Sequence, residues 1–351
     1  MLAPMPSRVA IITPFAHPSV RGNAVTVTRV AQGLGERGIE LRVWDLSTSA
    51  DATIEAEVQA YRPALIHAFH AYRTGPLALR LARRTAIPLV VTFTGTDANH
   101  DLFDAERAPL VRQVLEGAAR LTAFHTSIAD RVTRVLPDLR GRLVVVPQSV
   151  ILPRGATFDL RARWPLPAQT ALFVFPAGIR AVKNPGFPLG PLGRLVRHLP
   201  EIHLLYAGPL LDPGAGEVLL RSLAARPWAR HIGTVPHTQM ASLLSQADVV
   251  LNCSVSEGGM ANSVLEGLAL GRAVLASDID GNRSLIDDGL TGFLFRDEAE
   301  FERRAAELAR DPGLRERLGR AGRELVARRY PPEREIEGYR DVYRQLVAVP
   351  I

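Results

Sequence analysis

Between Asn252 and Phe295 the chain reads NCSVSEGGMANSVLEGLALGRAVLASDIDGNRSLIDDGLTGFLF, with two carboxylates, Glu257 and Glu266, around the glycine pair Gly258 and Gly259. Glycine has no Cβ to hold an anion away from the backbone amides that open the next helix, so this order of residues describes a phosphate site. The helical pattern starts near Met260 and places Glu266 on its second turn, among the apolar Val264, Leu265, Leu268 and Ala269. An unpaired carboxylate on a largely buried helix is costly, which favours a ligand role over that of a surface glutamate. Vicinal ribose hydroxyls are what such a carboxylate takes in nucleotide-binding α/β folds.

Three further groups carry chemistry. GIRAVKN, Gly178 to Asn184, sets Arg180 and Lys183 three apart at a strand-to-helix junction, where both cations can meet one developing negative charge. A pair of solvated surface charges is the other reading. RGNAVTVTRV, Arg21 to Val30, follows the first strand; with Gly22 at the turn, the amides near Asn23 and Ala24 can donate to a phosphate or a sugar hydroxyl, or the segment is an ordinary loop. His70, in HAFHAYR beside Tyr72 and Arg73, ends a strand, as TFTGTDANHD, with Thr96 and Asp97, follows another. For His70 a satisfied structural histidine stays open.

The elements that must position these residues alternate. Strand-like runs at Val9 to Thr13, Ile39 to Leu46, Ala64 to Phe69, Pro88 to Phe93, Leu121 to Phe124 and Leu143 to Val146 are separated by helical patterns, the first over Ala24 to Arg37. Nearly continuous apolar strands between helices predict a parallel sheet covered on both faces. After a Pro-, Gly- and Arg-rich stretch the pattern begins again at Ala171 to Phe175, His203 to Tyr206, Val249 to Leu251 and Ala273 to Ala276. Two copies of one architecture are thus expected, with a ligand in the cleft between them. The tail from Glu298 reads as helices, broken at Asp311-Pro312-Gly313 and Tyr330-Pro331-Pro332.

The 351 residues suit two domains of roughly 150 each. A single cysteine, Cys253, excludes an intrachain disulfide and fits a reducing, cytoplasmic setting. The N-terminus lacks the pattern of a secretory signal, and no apolar run is long enough to span a bilayer, so a soluble protein is expected. The net charge of +6 comes from scattered arginines, without an aromatic-interleaved basic motif or a zinc-ligand cluster. Nucleic acid is therefore not an expected partner; peripheral contact with anionic lipid stays open beside a simply solvated basic surface.

SEGGMANSVLE resembles the donor-binding segment of the family 4 glycosyltransferases, retaining enzymes of GT-B fold. The resemblance implies an α/β protein with two Rossmann-like parallel-sheet domains facing a central cleft: an acceptor domain over 1–150, a nucleotide-sugar donor domain over 151–330, and a last helix, 331–351, that crosses back to the first domain. A plain terminal helix is the alternative for EREIEGYRDVYRQL. The implied roles place Glu257 and the amides of Met260, Ala261, Asn262 and Ser263 on the sugar, Glu266 on the ribose, and the loop containing Val235 on the base. Arg180, Lys183, Gly22 and Asn23 would meet the diphosphate, with Arg180, Lys183, Glu257, Asp97 and His70 as the catalytic group. The acceptor would meet His70, Tyr72, Arg73, Thr96 and Asp97. No metal or other cofactor is expected beside the UDP-sugar co-substrate.

Two departures from the family pattern are visible. The family leaves seven residues between its glutamates and this chain leaves eight, which predicts a bulge or wider turn over Gly258 to Ala261; and a histidine that the family often carries near Thr94 is absent. Several motifs, among them TGTDAN, GIRAVKNP and SVSEGGMAN, also resemble bacterial selenosugar synthases, which join an N-acetylhexosamine from a UDP donor to selenophosphate. A small, anionic acceptor follows from that resemblance. A UDP-sugar epimerase or hydrolase on the same scaffold and a non-catalytic nucleotide-sugar binder are the rival expectations.

Overall fold

The computed structural model describes residues 8–19, 21–152, 155–257 and 259–347. They form two compact units, one of residues up to 149 together with those from 331 onward, the other of residues 150–330.

The first unit is built on six parallel strands, β1 (Val9–Thr13), β2 (Leu41–Asp45), β3 (Leu65–Phe69), β4 (Leu89–Thr92), β5 (Arg120–Ala123) and β6 (Leu143–Val145), in the order β2-β1-β3-β4-β5-β6. Helices α1 (Gly22–Gly35), α2 (Asp51–Tyr61), α3 (Gly75–Thr85), α4 (Ala108–Gly117) and α5 (Thr126–Val135) connect them. Every residue of β1, β3 and β4 is buried, and the two-residue period of a strand sends alternate side chains into different cores. Ala10, Ile12, Ile66 and Ala68 enter one cluster; Val9, Ile11, Leu65 and Phe69 enter another with Val27, Val30 and Leu34 of α1. The C-terminal helix, Pro332–Arg344, completes that second cluster with Ile336, Tyr339, Val342 and Tyr343.

Polar groups fix the register of this helix. Glu335 is 1% exposed and takes both Nε and Nη2 of Arg29, at 2.7 and 2.9 Å, and its Oε2 also accepts from the Ser149 amide and hydroxyl at 3.1 and 2.5 Å. Farther along, Tyr343 Oη lies 2.7 Å from His67 Nδ1, whose Nε2 lies 2.6 Å from Thr92 Oγ1. Burial lowers the His67 pKa to about 3 from 6.5. Because the folded-state value is depressed, the unfolded chain binds this proton first. Stability is therefore full above pH 6.5 and falls as the pH drops toward 3, by about 2 kcal/mol at pH 5. We expect His67→Gln to lower stability at pH 7 and to flatten this acid limb in urea titrations between pH 4 and 7; an unchanged slope would show that other groups set it.

The second unit repeats the plan with a different strand order. Strands β7 (Ala171–Phe175), β8 (Ile202–Tyr206), β9 (Ala229–His231), β10 (Val249–Asn252), β11 (Ala273–Ser277) and β12 (Phe293–Phe295) run parallel as β12-β11-β10-β7-β8-β9, the doubly wound order of dinucleotide-binding folds. Its helices are α6 (Leu160–Arg163), α7 (Leu189–Leu195), α8 (Pro213–Leu223), α9 (His237–Leu244), α10 (Asn262–Ala269), α11 (Asp280–Arg283), α12 (Glu298–Arg310) and α13 (Pro312–Arg329). The two expected parallel-sheet domains are both present, and they differ in detail: the sheet order reverses between β1 and β3 in the first unit and between β7 and β10 in the second. Strands β9 and β12, absent from the sequence reading, are three-residue edge strands, too short to show a period. Helix α13 seats α10 closely; a Cβ on Gly322 would come within 2.6 Å of Leu268 Cδ2.

Candidate active site

Ligands of open α/β sheets bind beyond the carboxyl ends of the strands where the order reverses. In the second unit that place lies past β7 and β10, and the structure sets Arg180, Lys183 and Glu257 there. Arg180 precedes a 3₁₀ turn, Ala181–Lys183, and the Val255 amide donates to the Val182 carbonyl at 3.0 Å, tying the loop after β10 to that turn. Lys183 Nζ pairs with Glu257 Oε1, with the two side chains 14% and 12% exposed. Glu257 Oε1 also accepts from Ser254 Oγ at 2.6 Å and Asn252 Nδ2 at 3.1 Å. Burial alone would raise the Glu257 carboxyl; the Lys183 ammonium and these donors outweigh it and hold the group ionised, below the usual carboxylate range. Arg180 differs from its neighbour: its Nε is buried and has no hydrogen-bond partner.

A second layer supports Glu257. Asn252 Oδ1 accepts from the Ser254 amide at 3.1 Å and from Asn282 Nδ2 at 3.3 Å, and Ser277 Oγ donates to the Ser254 carbonyl at 2.6 Å. Sequence reasoning passed over Asn252, Ser254 and Asn282; the available signal was an asparagine ending an otherwise apolar strand, VVLN. Gly281, at the start of α11, meets the glycine turn without room for a side chain: its Cβ would lie 2.3 Å from the Gly259 carbonyl oxygen and 2.7 Å from Glu257 Cβ. Gly259 itself has φ +152°, and Ala261 is extended, so the helix opens at Asn262, two residues later than the sequence pattern suggests. Gly258 lies outside the described residues.

Glu266 is on the second turn of α10 and 8% exposed. It has a partner that sequence reasoning missed: His237 Nε2, on the first residue of α9, lies 3.0 Å from Oε1. The buried carboxylate that appeared to need a ligand is thus already bonded through one oxygen. The loop that leads to α9 contains Val235, 3% exposed, and Gly233 at φ +80°, whose carbonyl accepts from the Gly208 amide at 2.8 Å. Met260 and Ala261 are buried, and Asn262 and Ser263 form the first turn of α10.

In the first unit the loops after β1, β3 and β4 hold the remaining candidates. Asp97 is fully buried, and its carboxylate accepts from the amides of Ala71, Thr94, Gly95 and Ala98 at 2.8 to 3.3 Å. Asp97 thus braces the loop after β3 against the loop after β4. His70 is occupied in the same manner: Nδ1 accepts from the Arg73 amide at 3.2 Å and Nε2 lies 2.9 Å from Thr96 Oγ1. Burial lowers the His70 pKa, against the raising effect of Asp97. The neutral imidazole thus orients Thr96 and Arg73, both exposed, while Tyr72 lies under Arg107 with 5.3 Å between its ring and the guanidinium carbon. Gly22 opens α1, and Asn23 Nδ2 donates to Thr13 Oγ1 at 2.8 Å.

Among the described residues no group of three or more His, Cys, Asp or Glu side chains could hold a metal ion, and no helix is long and apolar enough to cross a membrane. An Asp-x-Asp spacing occurs at Asp278-Ile-Asp280, with Arg283 bonded to both carboxylates at 2.6 and 3.1 Å.

Residues 2–148 match the family model described as glycosyl transferase 4-like domain, and residues 170–311 the one described as glycosyl transferases group 1. The chain is a glycosyltransferase of group 1/4 type. This glycosyltransferase is 26% identical over 338 residues to glycosyltransferase 1 domain-containing protein 1 of Xenopus tropicalis, an alignment that covers 93% of this chain and 94% of that one. Two solved structures share its fold. Anabaena HepE in complex with UDP and glucose superposes with a TM-score of 0.78 at 14% identity, over 96% of this chain and 99% of HepE. Sucrose-phosphate synthase from Thermosynechococcus elongatus gives 0.80 at 17% identity, over 97% and 99% of the two chains. The glycosyltransferase therefore has the GT-B fold.

Proposed function

We propose that this glycosyltransferase moves a hexose or N-acetylhexosamine from a UDP-sugar to a small anionic acceptor, with retention of anomeric configuration and without a metal ion. The observation that carries the donor half is the buried, unpartnered Nε of Arg180 beside the Lys183–Glu257 pair, at the reversal point of a dinucleotide-type sheet. A buried donor without an acceptor is expensive in an empty protein and is satisfied by an anionic ligand. The diphosphate gains charge as the glycosidic bond breaks, and fixed cations favour that state over the intact donor. Glu266 takes the ribose, the Val235 loop the base, and Glu257 with the start of α10 the sugar. Uridine is the base of choice because HepE, of the same fold, binds UDP. Front-face attack by the acceptor then relies on orientation rather than on a side-chain nucleophile. The acceptor is supported by motif resemblance alone, with selenophosphate the leading candidate.

A thermal-shift panel of UDP-, GDP- and ADP-sugars in EDTA, followed by UDP-release assays with selenophosphate, thiophosphate and hexose phosphates, tests this function. We expect a shift with UDP-sugars and release that requires an acceptor. Acceptor-independent release with an altered free sugar would establish the epimerase or hydrolase alternative instead.

A further inference from the structure

One oxygen of Glu266 is taken and the other is open. Oε1 lies 3.0 Å from His237 Nε2, and among the described residues nothing bonds Oε2. The glutamate side chain is only 10% exposed, yet Oε2 is not sealed in as an orphan: it keeps an opening to solvent. A carboxylate can only accept, so the ring proton sits on Nε2 and the imidazole is the donor. Oε1 keeps a second lone-pair site, so this bond does not close the carboxylate to a diol.

The two side chains stand on elements that are fixed independently of each other. His237 is the first residue of α9; the loop before it is rooted by Val235, 3% exposed, and the Gln239 amide donates to the Pro236 carbonyl at 2.8 Å. Glu266 stands on α10, where Val264, Leu265 and Leu268 are fully buried. The ring therefore reaches Glu266 from a backbone that does not need Glu266 to hold it in place. A glutamate that waits freely for a ligand loses its side-chain torsional freedom on binding. The imidazole removes that freedom beforehand by pinning Oε1, and because a carboxylate is planar the same bond directs Oε2 toward the opening. Preorganisation of this kind raises affinity without adding a contact to the ligand.

We propose that His237 is a positioning residue of the donor site: it holds Glu266 in the orientation that receives a ribose diol, and thereby sets how strongly the protein distinguishes a ribonucleoside diphosphate from one without the two hydroxyls. This proposal rests on the ribose role given to Glu266 above. His237 acts through Glu266, so its loss weakens ligands that carry the diol and leaves the others as they were. A ring that only supported the loop before α9 would, when removed, weaken both kinds alike.

The test is calorimetric titration of the full chain with UDP and with 2′,3′-dideoxyuridine diphosphate, on the wild type, His237→Ala and His237→Gln. We expect the wild type to bind UDP at least roughly tenfold more tightly than the dideoxy compound. In His237→Ala the UDP affinity should fall about threefold to tenfold with the dideoxy affinity unchanged. His237→Gln, which keeps an N–H donor at similar reach, should recover most of the loss. Equal loss for both nucleotides, UDP affinity unchanged or raised in His237→Ala, or a His237→Gln variant no better than His237→Ala would each overturn the positioning role while leaving Glu266 on the ribose. A wild type that binds the two nucleotides equally would instead remove the ribose role of Glu266 itself, and the positioning role with it, so the two failures are distinguishable.

Discussion

Glu335→Ala is expected to destabilise the first domain by about 3–5 kcal/mol, the usual cost of removing one partner of a buried ion pair. The loss goes beyond one contact. Arg29, 7% exposed, would keep a guanidinium in the core opposite a void, and the Ser149 amide and hydroxyl would lose their shared acceptor. The C-terminal helix would then be held by the apolar contacts of Ile336, Tyr339, Val342 and Tyr343, by the His67 bond and by the more exposed Arg37–Glu337 and Arg120–Gln345 contacts. Differential scanning calorimetry should show a fall of roughly 6–20 °C in the midpoint of the first domain. Arg29→Met combined with Glu335→Leu should recover most of it, because an apolar pair of similar volume costs no desolvation. A loss below about 1 kcal/mol in the single variant would show that Glu335 is solvated in solution.

Arg180→Ala and Glu266→Ala are each expected to abolish the UDP-sugar-induced thermal shift, with at least roughly a tenfold to hundredfold loss of affinity. The two should differ in their effect on the empty protein. Arg180→Ala removes a buried, unpartnered N–H and should leave stability unchanged or slightly raised. Glu266→Ala deprives His237 of its partner, but that ring is 28% exposed and can turn to water. A variant that loses the donor without losing stability has lost a binding group, not a structural one. Full shifts in both variants would mean that the clamp is assigned to the wrong residues.

Much of the second domain was legible because its strands are buried on both sides and read as unbroken apolar runs, as β7 and β10 do. The glycine turn and Glu266 were legible for a related reason: each conflicts with its local pattern and calls for a compensating partner. What stayed hidden was the partner itself. His237 is 29 positions from Glu266, and Glu335 is 306 positions from Arg29, so neither pairing leaves a local signal. The partners of Asp97 were hidden for the same reason: its four backbone amides come from two loops whose approach depends on the adjacency of β3 and β4. Edge strands β9 and β12 are defined only by the neighbour each pairs with.

The most direct measurement is a crystal structure of the protein soaked with UDP in the presence of EDTA. A diphosphate oxygen within about 3 Å of Arg180 Nε, with the ribose hydroxyls on Glu266, is the predicted result. A diphosphate bound elsewhere, with Arg180 Nε still unpartnered, would contradict it.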